Sequence, residues 1–525
     1  MPVSGHSSIL AASPSEPSDS SQKRLGGPPL ITQLLSLWEQ FASKLDQIVP
    51  FSLSLKVVAL VAVLSWYTLL PVPLTTVTDS DLGWHLRSGE WILQHHSLPR
   101  TDPFSATGAG TPWVAYSWTF SVLIYEIAKN FDLLGIAAYT LFAWMAITFA
   151  FFRLVRSRGA TFWPAIGLTA VAGSILRRVV APRPGTITIL LFVVLLQILL
   201  QERENGYTRR IWIAPFIIWI WANVHVQFVY GLFLIGLFCV EPILDRMFLR
   251  RELERRPSAR LWAVLIVSGA ATLLNPYGFG PYQVLIDFAH QPLLIRYVQE
   301  TSAMSFTANL HYFVLFLTLG MAFVLGWRRQ VQPLWVILLV WSAVSSFRFE
   351  RDIWLVTAVA AAAIATRPAD AAPVRRESSR LWLYGTLGLL VVSFVTLKRV
   401  PSNHDLLAMV SRRMPVGAVA YIHEHHLSGP LFNDYDWGGF LTYALPEIPV
   451  AIDGRTNVHG QNEVGQNVRT WGLGPGWDKD PLLNRANLVI GLPGAPLTNY
   501  LRKDLHFKVV FDDGFCVLFQ RVAPA

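Results

Sequence analysis

Between residues 55 and 397 the chain returns about eleven times to predominantly apolar runs, several of them as long as the roughly 18 residues that mark a membrane span. Such runs constrain the backbone severely. In lipid every main-chain N–H and C=O must be bonded internally, so these segments have to be helices packed against one another. The composition points the same way: of 525 residues, 53% are hydrophobic and 15% charged, against about 25% charged in a soluble domain, and the mean hydropathy is +0.40. A soluble globular protein, a disordered chain, a collagen and a coiled coil are excluded. Two cysteines, Cys239 in an apolar run and Cys516 near the C-terminus, make neither a disulfide framework nor a thiolate metal cluster.

The expected spans are approximately 55–74, 133–152, 162–176, 185–201, 211–223, 226–244, 261–275, 311–327, 333–347, 352–366 and 381–397. Residues 1–29, polar and rich in Ser, Pro and Gly, read as a disordered cytoplasmic tail without a secretory signal. Over 30–49, Leu30, Leu34, Leu37, Trp38, Phe41, Leu45 and Ile48 recur at helical spacing, which predicts an amphipathic helix on the membrane surface; a helix that binds a partner or packs on the bundle is the alternative. The net charge of +9 records topology and implies no nucleic-acid partner. With the N-terminus inside, most of the excess falls in inner loops, among them those with Arg153, Arg156 and Arg158, with Arg203, Arg209 and Arg210, and with Arg328 and Arg329. That orientation requires 113–128, which carries Glu126, to lie along the outer interface, and an odd number of spans places 398–525 outside. This tail has Gly, Pro, Asn and Asp in quantity and short apolar runs at 450–452, 488–490 and 508–511, so a small α/β domain is expected, with a hairpin from Phe507 to Gln520 around Asp512-Asp513-Gly514. The fold class is therefore mostly α: a polytopic transmembrane bundle (50–397) of about 11 spans with a small C-terminal α/β extracytoplasmic domain (398–525).

The long outer loop, 75–112, places Asp79 and Asp81 just beyond the first span, followed by Trp84, His85, Arg87 and Glu90. Two carboxylates at i and i+2 can share one divalent cation, or one can act as a base while the other holds the metal. Equally, Asp79 can cap a helix over 81–92 with Asp81 in its first turn. Arg177, Arg178 and Arg183 follow the third span, and Arg348 and Arg351 the ninth, on the side where the topology rule does not want them. Arginine there suits phosphate or carboxylate, with snorkelling or a salt bridge from Arg348 to Glu350 or Asp352 as the plainer reading. Asn223 and His225, at the outer end of the fifth span, either line the same cavity or form a structural pair. In the tail, Asp434, Asp436 and Trp437, with Asp453 and Arg455, lie on loops after strands, where an aromatic face and carboxylates suit a glycan and plain turn chemistry accounts for them as well. His423-Glu424-His425-His426 lacks zinc-peptidase spacing and reads as a surface helix end.

Asp79-Ser-Asp81-Leu-Gly-Trp84-His85-Leu-Arg87-Ser-Gly89-Glu90, continuing through Pro99-Arg-Thr-Asp102-Pro-Phe104-Ser, resembles the first outer loop of bacterial polytopic proteins related to the glycosyltransferase C superfamily, the protein mannosyltransferase-like and lipid A sugar-transferase-like membrane enzymes. Looser similarity extends to Arg183-Pro184, Trp221-Ala-Asn223-Val-His225, Asn275-Pro276-Tyr277-Gly278, Phe432-Asn-Asp434-Tyr-Asp436-Trp-Gly438-Gly439 and Asp453-Gly-Arg455. The resemblance implies an enzyme of the bacterial inner membrane that takes a sugar from a polyprenyl-phosphate donor and delivers it to an acceptor at the outer face. Asp79 or Asp81 would then be the general base or a ligand of a divalent cation, Mg or Mn. The outer arginines would stabilise the phosphate leaving group, and Trp84, His85, Arg87, Glu90, Asp102, Asn223 and His225 would line the cavity and meet the acceptor. The adjacent acidic pair of the better-known transferases is here separated by Ser80, which leaves open which aspartate acts. The rival classes are a transporter, disfavoured by the lack of a repeat, and a non-catalytic scaffold or glycan-binding protein. Asp79, Arg183 and His225 are expected to converge on one cavity.

Overall fold

The apolar runs become helices. Phe162–Leu176, Pro184–Glu204, Ile213–Val224, Phe228–Leu249, Ala259–Ala271, Asn309–Trp327, Pro333–Arg348, Ile353–Ala365 and Ser379–Arg399 each cover most of an expected run, Val49–Leu64 covers the first half of that at 55–74, and that at 133–152 forms the second part of Trp118–Ser157. The structure is a computed structural model that describes residues 49–66, 77–249, 258–297, 302–328, 332–367, 379–399 and 402–522. The expected tail and nearly all of the amphipathic helix at 30–49 lie outside the described residues. Residues Met1–Lys56 group apart, represented only by the start of the Val49–Leu64 helix, and Val57–Ala525 form the second unit.

By length and composition, four helices among the described residues can cross a membrane: Trp118–Ser157, Pro184–Glu204, Phe228–Phe248 and Asn309–Trp327. Others are apolar but shorter, such as Phe162–Leu176 and Pro333–Arg348. Their outward faces are apolar too. Phe313, Phe316, Phe323 and Trp327 on one helix, and Leu383, Leu387, Leu390 and Phe394 on another, are exposed, an arrangement suited to lipid and costly in water. At the centre lies Ile353–Ala365, nearly every residue of it buried; its run of small alanines, Ala360–Ala363, lets neighbouring helices approach closely.

Trp118–Ser157 is two helices, interrupted at Asp132 (φ 50°, ψ −146°). The first part, 118–131, is about 21 Å long, too short to cross a bilayer core of about 30 Å. It packs instead on the Leu82–His95 helix, so closely that a Cβ on Gly89 would lie 2.2 Å from the Ser121 carbonyl oxygen.

In the C-terminal region four strands form one sheet, order β1-β2-β4-β3, with β1 Leu431–Asn433, β2 Leu488–Gly491, β3 Phe507–Asp512 and β4 Val517–Arg521. β1 and β2 are parallel, with Leu431 opposite Leu488; the other pairs are antiparallel. The β3–β4 hairpin turns at 513–516, where Gly514 has φ 80°. The expected strand at 450–452 is only a bridging residue: Val450 pairs with Leu431 of β1 on one side and Ser105 of the long loop on the other. This region is thus joined to loop 77–112. Gly83 and Gly439 meet where no side chain fits, a Cβ on Gly83 falling 2.1 Å from the Gly439 carbonyl oxygen.

Candidate functional site

At the start of the Leu82–His95 helix Asp81 occupies the N-cap position but makes no side-chain cap bond. It is Asp79 that accepts from the Asp81 amide (2.9 Å), turning the chain so that both carboxylates face Arg183. Arg183, just ahead of Pro184 at the start of the Pro184–Glu204 helix, donates from Nε to Asp79 Oδ2 (2.6 Å) and places Nη1 3.2 Å from Asp81 Oδ2. The second oxygen of Asp81 accepts from the Trp84 indole (3.1 Å). Asp79 is nearly buried at 7% side-chain exposure, whereas Asp81 at 24% stays open to the cavity.

That cavity measures about 390 Å³ and is lined by Asp79, Asp81, Trp84, His85, Arg178, Arg183, His225 and Arg351. Also on its wall are Tyr116, Ser117, Gln227, Glu350, Asp352, Tyr435, Gly454 and Thr456, none of which the sequence reading singled out as site residues. Most of these are the neighbours of residues it did name, and their polarity has no periodicity to mark it. Asp352 accepts from Gln227 Nε2 (2.9 Å) and Tyr230 Oη (2.8 Å). Glu350 pairs with His311 at 3.0 Å, and not with Arg348. The C-terminal region closes the wall above the acid pair: a Cβ on Gly454 would lie 2.0 Å from Asp81 Oδ1.

The two imidazoles stay neutral. Burial, with Arg183 and His225 nearby, holds His85 well below its ordinary pKa. Burial and then Arg351 hold His225 down to about 3. Tyr116 is pushed up, mainly by burial.

Several expected site residues stand elsewhere. Arg177 and Arg348 are exposed and off the cavity wall, Arg348 lying over the ring of Phe349. Arg87 donates to Glu90 (2.7 Å), three residues along its own helix. Asn223 accepts from the Trp118 indole and donates to the Trp219 and Leu274 carbonyls, the structural alternative. Asp102, Asp453 and Arg455 form a buried cluster: Arg455 reaches Asp102 Oδ1 at 2.5 Å and both oxygens of Asp453 at 2.7–3.0 Å, with its guanidinium over the rings of Trp113 and Phe104. Burial alone would raise Asp453, yet Arg455 and His459 hold its carboxyl far below the usual range. These charges are fully enclosed and paired with one another. Trp437 is buried with its indole donating to the Arg413 carbonyl, Asp434 caps the Tyr435–Ala444 helix, and only Asp436 is exposed. Of the residues expected to form an outer glycan face, Trp437, Asp453 and Arg455 are packed into this junction.

At the site where a divalent cation was expected, Arg183 already lies between the two carboxylates. Among the described residues no group of three or more His, Cys, Asp or Glu is arranged to hold a metal ion. The oxygens of Asp79 and Asp81 already face an amide, an indole and a guanidinium. No family model matches the chain, and no curated protein is detectably similar to it. Fold and site together define a mostly helical, membrane-associated protein whose acid pair and arginines share one cavity.

Proposed function

We propose that this protein is an integral membrane glycosyltransferase that moves a sugar from a polyprenyl-phosphate donor to an acceptor at the outer face of the bacterial cytoplasmic membrane, with about eleven spans, its N-terminus inside and residues 398–525 outside. The observation that carries the reading is the convergence of Asp79, Asp81, Arg178, Arg183, His225 and Arg351 on one cavity. Glycosyl transfer from a lipid phosphate needs a base for the acceptor hydroxyl and cationic stabilisation of the leaving phosphate, both held in place beforehand. Asp81 suits the base, being the more open carboxylate with the longer contact to arginine. Asp79 suits the anchor that orients Arg183. In the proposed step the acceptor oxygen bonds to the anomeric carbon as the bond from that carbon to the phosphate oxygen breaks. The acceptor proton passes to Asp81, and the negative charge of the departing polyprenyl phosphate is met by Arg178 and Arg351, with Arg183 held between the two carboxylates.

A second depression supports a donor with a lipid tail. It measures about 880 Å³, is walled largely by apolar side chains such as Phe131, Leu134, Phe142 and Leu190, and reaches Thr186 and Ile187, adjacent to Pro184 and Gly185, the helix start that lines the polar cavity. The test is transfer of radiolabelled sugar from polyprenyl-phosphate donors in membranes carrying the parent, Asp79→Asn or Asp81→Asn. Transfer that requires the parent and disappears in Asp81→Asn, with the protein still inserted, is expected. No transfer from any such donor would favour a non-catalytic scaffold or a transporter.

A further inference from the structure

Three neutral groups of the polar cavity take no part in holding the acid pair. His85 and His225 each have Nδ1 engaged by a hydroxyl behind the ring, Ser121 Oγ and Thr188 Oγ1 respectively, both at 2.9 Å. Both rings line the cavity, and neither Nε2 has a hydrogen-bond partner among the described residues. Ser117 lines it as well, is 3% exposed, and its buried hydroxyl has no partner among the described residues. A buried hydroxyl left unpaired is costly unless a bound group completes it.

Most of the charged groups on the wall already have partners. Arg183 serves Asp79 and Asp81, Glu350 serves His311, and Asp352 is held by Gln227 and Tyr230. Among the lining residues Arg178 and Arg351 remain for the single negative charge of a phosphodiester, Arg351 lying over the ring of Phe288. No further lining carboxylate stands ready for an ammonium group, and no further arginine for a second anion.

Resting on the transferase reading, we infer that His85, His225 and Ser117 form the sugar subsite of this cavity, and that the sugar it takes is uncharged and hydroxyl-bearing. Neutral imidazoles offer a donor or an acceptor to a sugar hydroxyl and bring no charge of their own. A site that completes its own buried polar groups with ligand hydroxyls rejects a ligand that lacks or charges them.

The test is binding to the full-length protein in nanodiscs of four probes: polyprenyl phosphate, and the same lipid phosphate bearing glucose, glucosamine or glucuronate. The glucose-bearing lipid is expected to bind more tightly than the other three. Ser117→Ala should reduce its advantage over bare lipid phosphate by about fivefold, the worth of one neutral hydrogen bond, and His225→Gln should reduce it similarly. Bare lipid phosphate should bind all three proteins alike, which also reports that the variants are folded. Equal or tighter binding of a charged sugar, or an unchanged advantage in both variants, would overturn the subsite while leaving the lipid-phosphate site standing. If the parent bound none of the four, the donor reading itself would fall.

Discussion

Arg183 is the residue on which the cavity turns, because one guanidinium fixes two carboxylates that would otherwise repel each other two residues apart. The two histidines beside it are held neutral, and this has a consequence for stability. In the unfolded chain each imidazole titrates near 6.5, whereas in the folded chain His225 resists protonation down to about 3 and His85 to well below 6.5. Between those values the unfolded state binds more protons. Stability is therefore complete above about pH 7 and falls as pH drops through the window, by about 1.4 kcal/mol per pH unit for each histidine. Thermal unfolding in detergent from pH 7.5 to 5 should show the decline, with a shallower slope in His225→Gln; a flat profile would contradict neutral imidazoles.

Among the elements, the break at Asp132 turns one 40-residue helical stretch into two. Asp132 sits at φ 50°, ψ −146°, a conformation that side chains disfavour. The side chain of Asn403 bridges the gap, accepting from the Leu134 amide (2.9 Å) and donating to Asp132 (3.2 Å). Asp132→Gly should relieve the strain and raise stability by about 1 kcal/mol, read as a higher midpoint in thermal unfolding; a lower midpoint would show that the carboxylate contact outweighs the strain. The helices themselves were legible in the sequence, because an apolar run of adequate length has few alternatives. Two features were not. The expected strand at 450–452 depends on pairing with Ser105, some 345 positions earlier, so its apolar character alone could not show that it bridges rather than extends. Likewise Arg455 and Asp102, 353 positions apart, looked like loop residues available to a ligand and are in fact each other's partners. The convergence of Asp79, Arg183 and His225 was anticipated from their common position at helix ends. Ser117 and Gln227 carried no signal of their own, and Asp352 was legible only as a salt-bridge partner for Arg348.

For the molecule as a whole, the junction between loop 77–112 and the C-terminal region decides whether the cavity has a complete wall. Arg455 holds it from one side, with Asp102 and Asp453 as partners and every charge enclosed. Removing one member of such a cluster leaves buried charge uncompensated, so Arg455→Leu should cost about 3–5 kcal/mol. The loss should appear as a lowered unfolding midpoint together with new protease sensitivity near residues 102–113. Sensitivity confined to the C-terminal residues would mean that the loop holds its conformation without them.

The most direct measurement of the central claim is steady-state transfer by purified protein in nanodiscs, comparing Asp81→Asn with Arg351→Ala over a range of donor concentrations. A general base acts only in the chemical step, so Asp81→Asn should lower kcat by about a hundredfold or more with KM for the donor little changed. Arg351→Ala, removing a phosphate partner, should raise KM. Transfer by Asp81→Asn within a few-fold of the parent would contradict the assignment of the acid pair as the centre of this protein's chemistry.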